Sequence, residues 1–323
     1  MMITPHRIVS LIASATEIVC ALGFEDQLVG RSHECDFPAS IRHLPACSAP
    51  RIDVHGGSRE IDEQVRNNLK EALSIYRIFT DELQRLQPTH LITQSQCEVC
   101  AVSLKDVEQA LCGFIGSQPQ IIAHEPMHLN DLWNDIQKTA SSLGAPERGR
   151  ELTAALQRRL QHLQASSTEN CKKPRVLCLE WLDPAMSAGN WVPELVEFAG
   201  GIPLLSVPGR HSPYLTWEQV AIANPDVIAV MPCGFDIART VSEIHVLQSQ
   251  PAWSGMTAVM SGRVYITDGN QYFNRPGPRL VESAEILAEI FRDQPGISSI
   301  DNTRHHGAGW IRLDEMTEVL CQR

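Results

Sequence analysis

Residues 7–38, RIVSLIASATEIVCALGFEDQLVGRSHECDFP, decide the fold. Arg7 to Ala13 is an apolar, β-branched run that reads as a buried strand. Residues 14–23 continue as a helix. Ser14 and Thr16 supply capping hydroxyls, Glu17 places an acid in the first turn, where the macrodipole favours it, and Gly23 is the stop. The run QLVGRS at 27–32 is a second short strand. Strand, helix and strand in such close succession begin a parallel sheet with crossover helices.

The alternation continues outward. Residues 61–76 and 80–87 carry helical periodicity, Thr80 opens the second helix, and Pro88 ends it and launches a third strand, THLIT at 89–93. QIIAHEP at 120–126 is a fourth strand, and residues 128–167 are helical with a break at Gly144-Ala145-Pro146. A second series follows: strand 175–182, helix 190–201, a helix–Pro225–strand unit within 216–234, a strand within 260–269 and an amphipathic helix at 277–293. DELQRLQPTHLITQ and WEQVAIANPDVIAVM share one helix–Pro–strand pattern, which implies two similar lobes. The expected fold class is α/β, with an N-terminal lobe at 1–126, a connecting helical segment at 127–170, a C-terminal lobe at 171–293 and an extension at 294–323. No element is assigned to the TRHHGAGW tail.

The 323 residues carry a net charge of -11 and no basic run, which argues against nucleic acid and against an anionic membrane surface. No stretch approaches the roughly 20 apolar residues of a membrane span. Glu17 interrupts the apolar N-terminus and no basic segment precedes it, so a cytoplasmic chain is expected, or a periplasmic one if the chain is processed. Ten cysteines then imply a reducing compartment, with Cys20, Cys112 and Cys178 as buried small hydrophobes.

In open α/β sheets ligands bind beyond the carboxyl ends of the strands. Those ends gather Ser14, Thr16, Glu17, His33, Glu34, Asp36 and Gln94 in the first lobe. In the second they gather Trp181, Trp191, His211, Tyr214, Phe235, Tyr272 and Phe273, an aromatic set in a chain that is only 6% aromatic. A flat apolar ligand that stacks on rings suits that set. Cys97-x-x-Cys100 closes the third strand. With Cys35 and His33 it forms a candidate zinc or iron site; at a helix N-terminus it could instead be a redox pair or supply a nucleophile, and buried structural thiols are the plain alternative. His124 and His128 have helical metal-pair spacing, but Pro126 between them argues against one helix. There is no glycine-rich phosphate fingerprint and no Gly-x-Ser-x-Gly elbow.

The opening stretch, with LQRLQPTHLIT, WEQVAIANPDVIAVMPCG and RVYITDGNQYFNRPGPRLVESAEIL, resembles the cobalamin-binding and iron-chelate-type substrate-binding proteins of ABC importers, in a branch without a signal peptide. The resemblance spans about residues 7–292. It implies two Rossmann-like lobes joined by a long rigid helix, a ligand cleft between the lobes, and binding without catalysis. It implies cobalamin or a related corrinoid as ligand, a monomer, and docking on an ABC permease through Glu218 in the second lobe and Glu82 in the first. The extra helix at 61–76 and the Cys/His set depart from the simple aromatic clasp of that family. A metal-ion or metal-chelate binder and a small-molecule enzyme with a reactive cysteine are the alternatives.

Overall fold

The structure is a computed structural model that describes residues 5–71, 74–95, 102–111, 118–167, 173–295 and 303–317. The chain divides into two compact units, one built from residues 1–56, 60–126 and 130–155, the other from 57–59, 127–129 and 156–323.

The first unit contains β1 (Ile8–Ser10), α1 (Ala13–Ala21), β2 (Leu28–Arg31), β3 (Ser48–Pro50), α2 (Ser58–Lys70) apart from its first two residues, β4 (Tyr76–Ile78), α3 (Thr80–Leu86), β5 (His90–Gln94), α4 (Leu104–Leu111), β6 (Gln120–His124) and α5 (Leu129–Ser142) apart from its first residue. Four strands form a sheet in the order β2-β1-β5-β6, and every pairing is parallel. All three residues of β1 and all five of β5 are buried, as a parallel sheet covered on both faces requires. Val9, Leu11, Leu83, Leu86, Leu91 and Val107 pack into one apolar cluster. Each such side chain contributes about 1.5–3 kcal/mol by leaving water. The helix expected over 61–76 stops at Lys70, and β4 pairs antiparallel with β3 instead. Ile75 and Tyr76 are buried in that same cluster, so tertiary burial overrides the helical periodicity there.

The break at Gly144–Pro146 separates α5 from α6 (Pro146–Ser167), and the two units divide within α6, between Ala155 and Leu156. The second unit continues with β7 (Arg175–Trp181), β8 (Met186–Ser187), α7 (Val192–Phe198), β9 (Ile202–Pro203), α8 (Trp217–Ala223), β10 (Val227–Val230), α9 (Ile237–Glu243), α10 (His245–Gln248), α11 (Thr257–Met260), β11 (Val264–Thr267), α12 (Leu280–Arg292) and β12 (Trp310–Arg312). Its sheet runs β12-β11-β10-β7-β8, with β9 also on β7. β7, β10 and β11 are parallel, and the tail supplies β12 as an antiparallel edge strand with Tyr265 opposite Arg312.

The paired helix–Pro–strand segments are the same device in both units. α3 ends at Gln87 (φ 44°) and α8 at Asn224 (φ 39°), each left-handed and each bonding back to the fourth residue before it. A proline follows each cap and stops the helix. β5 and β10, the strands so launched, sit inside their sheets with a neighbour on both sides. Among the described residues no helix is long and apolar enough to cross a membrane.

Candidate functional site

In the first unit the strand ends present hydroxyl, thiol and imidazole groups. α1 begins at Ala13 with Ile12 as an N-cap that makes no side-chain bond, so Ser14 lies inside the helix and Glu17 beyond its first turn. This corrects the expected cap and dipole roles. The hydroxyl of Ser14 is buried without a hydrogen-bond partner, and Glu17 is buried too. Thr16 Oγ1 donates to Cys35 Sγ at 3.0 Å, and Cys35 is buried. Arg31 shapes the loop that follows β2. Its guanidinium donates to the carbonyls of Ser32, Cys35, Arg42 and Leu44 at 3.0–3.2 Å. His33 Nδ1 lies 3.0 Å from the Ser48 hydroxyl, which donates to Ser32 Oγ. Burial first, and the Arg31 charge second, push His33 down to about 4, so it is a neutral imidazole at physiological pH. Glu34 and Asp36 are half-buried beside it, and Gln94 is buried at the end of β5.

Cys97 and Cys100 lie outside the described residues. Among the described residues no three His, Cys, Asp or Glu side chains gather as a metal site. His33 is instead engaged with Ser48, and Cys35 with Thr16. The His124–His128 pair is parted. His124 ends β6 in the first unit, buried, with Nε2 2.8 Å from Thr139 Oγ1. His128 belongs to the second unit, 3.5 Å from Glu194.

The second unit sorts its aromatics into two kinds. Trp191 is buried and its indole N–H donates to the Phe273 carbonyl at 2.7 Å; Phe273 itself is fully buried. These two support the fold, and the structure gives neither an open face for a ligand. Trp181 is half-buried at the end of β7 and packs against Phe235 with ring centres 5.3 Å apart. Tyr214 is 53% exposed, His211 is exposed, and Tyr272 is half-buried beneath the Arg279 guanidinium at 5.5 Å. The loops that carry them are zipped together. Gly189 N–H donates to Ser212 Oγ, Asn190 N–H to the Arg210 carbonyl, and Ser212 Oγ to Glu180 at 2.8 Å. A side chain at Gly189 would collide with the backbone of Arg210 to Ser212, so the close approach needs glycine.

Sequence reasoning missed the segment Gly57–Arg59, which is part of the second unit. The Trp181 indole N–H donates to the Ser58 carbonyl at 3.1 Å, and the Ser58 N–H donates to Glu243 at 2.8 Å. Arg59 makes two bonds to Asp183, at 2.9 and 2.8 Å. Partners 123 to 185 residues apart leave no local signal.

The acidic residues on the paired helices differ. Glu218 is exposed in the first turn of α8, behind a capping box of Thr216 and Gln219. Glu82 is in the first turn of α3 and bonded by Arg85 at 2.5 and 3.1 Å.

Both units are α/β, with parallel strands at the centre of each sheet and these side chains at the strand ends. The chain belongs to the periplasmic binding protein family, which it matches over residues 8–271. It is 24% identical over 292 residues to the vitamin B12-binding protein of Vibrio vulnificus, covering 88% of this chain and 90% of that one. Among solved structures it is similar to the apo periplasmic heme-binding protein RhuT from Roseiflexus sp. RS-1, with a TM-score of 0.66, 24% identity and 89% and 98% of the two chains covered. It is also similar to the periplasmic vitamin B12-binding protein BtuF of Vibrio cholerae, with a TM-score of 0.63, 20% identity and 89% and 97% covered.

Proposed function

We propose that this protein is the substrate-binding component of an ABC-importer-type system, or a relative of one, and that its ligand is cobalamin or a related corrinoid. The observation that carries the reading is the aromatic set at the strand ends of the second unit. Trp181, seated on the buried ring of Phe235, offers with Tyr214 and Tyr272 aromatic surface of the kind on which a flat macrocycle stacks. Its likeness to a vitamin B12-binding protein across nearly the whole length of both chains supports the same ligand class. The hydroxyls and amides of the first unit suit the amide side chains of a corrinoid, and the neutral imidazole of His33 suits a metal such as cobalt. Heme is the second reading, favoured by the likeness to a heme-binding protein.

Glu218 is the docking residue we assign for a permease, because it is exposed and its helix start is fixed by its own capping box. Glu82 is the weaker counterpart, since Arg85 already neutralises it.

The test is a visible-absorbance titration of reduced protein with cyanocobalamin and, separately, with hemin, with metal analysis of the same sample. Saturation at one equivalent of cyanocobalamin, retained in equilibrium dialysis, supports the corrinoid reading. Hemin saturation alone would transfer the site to the second reading. Bound zinc or iron with neither macrocycle would point to the cysteines.

A further inference from the structure

Tyr272 is held by a segment that lies well beyond it in the chain. Both it and the extension at 303–317 come after residue 271, where the family match ends. The turn that carries Tyr272 is built on Asp268, just past the end of β11. The Asp268 carboxylate accepts the N–H groups of Asn270 and Gln271 at 3.0 and 2.7 Å, and its carbonyl accepts that of Tyr272 at 3.1 Å. The N–H of Asp268 itself donates to the Gly309 carbonyl at 3.0 Å, and the Gly309 N–H donates to the His305 carbonyl at 2.6 Å. The His305 imidazole then meets the Tyr272 ring, with centres 6.2 Å apart and planes at 77°, an edge-to-face pair. His305 is itself fixed from α12. It is buried, its backbone N–H donates to Glu289 at 3.1 Å, and its Nε2 lies 3.5 Å from Glu285. Arg159 holds Glu285 through bonds of 2.9–3.1 Å, and the buried Trp310 holds Glu289 through its indole N–H at 2.8 Å.

We infer that the C-terminal extension is part of the ligand site, with His305 as a positioning residue for Tyr272. The imidazole and the Arg279 guanidinium, 5.5 Å from the ring centre, set the plane of the phenol ring while part of it stays exposed. A ring fixed in advance gives up little rotamer freedom on binding. Losing the imidazole therefore lowers the affinity that Tyr272 supplies, although Tyr272 remains. The contact asks for a ring at position 305 and not for a charge, because Glu285 keeps Arg159 and Arg304 without it. The inference rests on the corrinoid reading for the identity of the ligand; the contact between the extension and Tyr272 is a property of the ligand-free chain.

The experiment compares two variants of the full chain: His305→Leu, which fills the space without a ring, and His305→Phe, which keeps one. In the first arm, without ligand, 3-fluorotyrosine replaces the four tyrosines, and each fluorine resonance is assigned by replacing that tyrosine with Phe. His305→Leu should move the Tyr272 resonance and leave those of Tyr76 and Tyr214 in place. In the second arm, cyanocobalamin affinity is measured by equilibrium dialysis. His305→Leu should weaken it about three-fold and His305→Phe by less than about two-fold, the scale of one aromatic pair. In a Tyr272→Ala background His305→Leu should cause no further loss, a result that support of the fold alone would not produce. An unmoved Tyr272 resonance would overturn the inference. So would unchanged affinity in His305→Leu, an equal loss in the Leu and Phe variants, or the same loss with Tyr272 absent. If the native chain does not bind cyanocobalamin, the corrinoid reading fails, and the fluorine arm alone decides whether His305 positions Tyr272.

Discussion

The strand ends of the two units do opposite things with their side chains. In the first, polar groups are committed to one another: Thr16 to Cys35, Ser48 to His33 and Ser32, and Arg31 to the carbonyls of its loop. In the second, rings keep faces or edges within reach of solvent at Trp181, Tyr214 and Tyr272. A ligand gains little by exchanging one satisfied hydrogen bond for another, whereas covering an aromatic face removes apolar area from water. On the proposed corrinoid reading the second unit supplies most of the binding energy, whereas the buried imidazoles of His33 and His124 and the buried carboxyl of Asp135 lie in the first.

The largest effect that could break this division is on stability. Trp191→Ala should cost about 3–5 kcal/mol in denaturant unfolding, because it empties a buried site and orphans the Phe273 carbonyl. A loss under roughly 1 kcal/mol would mean that Trp191 is free to serve a ligand, contrary to its place in the packing.

Next in size is Asp135 on α5, in the first unit. Burial raises its carboxyl from 3.8 to about 7, against the lowering influence of Lys138. The folded chain therefore keeps this proton after the unfolded chain has released it. Stability from this group is present below about pH 4 and is lost as pH rises to 7. Asp135→Asn stays neutral and retains an acceptor for the Glu125 N–H, so the variant should exceed the native chain by about 2–4 kcal/mol at pH 8 and match it near pH 4. Urea unfolding at the two pH values measures it. A constant difference would remove the titration from the explanation.

His33 and His124 work in the other direction. Burial holds them down, to about 4 and about 3, so stability is lost as pH falls below the ordinary value of 6.5. His33→Asn should flatten that limb between pH 6.5 and 4, while changing cyanocobalamin affinity by less than about three-fold if the aromatic unit dominates binding. A ten-fold loss of affinity with an unchanged acid limb would move the binding centre to the first unit.

How much of this the sequence shows depends on the distance over which each feature is encoded. β1, α1 and β2 are legible in residues 7–38 because periodicity and stop residues are local. The paired caps at Gln87 and Asn224 are legible through Pro88 and Pro225 for the same reason. The β3–β4 pair is not, since three-residue strands 26 positions apart carry no periodic signal. Nor is the role of the tail, whose β12 is defined only by pairing with β11 and by the bonds of His305 and Trp310 to Glu289 on α12. The aromatic candidates are legible as residues near strand ends, but sequence could not divide Trp191, Phe235 and Phe273, which are packed inside, from Trp181 and Tyr214, which are not. That division depends on what lies on the other side of each ring. Ser58, Arg59 and Glu243 were missed because their partners are remote in the chain.

The most direct test is a cyanocobalamin titration of the native chain and of Trp181→Ala side by side, followed by visible absorbance and checked by equilibrium dialysis. Stacking on one indole is worth about 1–1.5 kcal/mol, so the native chain should saturate at one equivalent and the variant should bind about ten-fold more weakly with its fold intact. Equal affinities, or no binding by the native chain, would contradict the assignment of a corrinoid to the aromatic strand ends of the second unit.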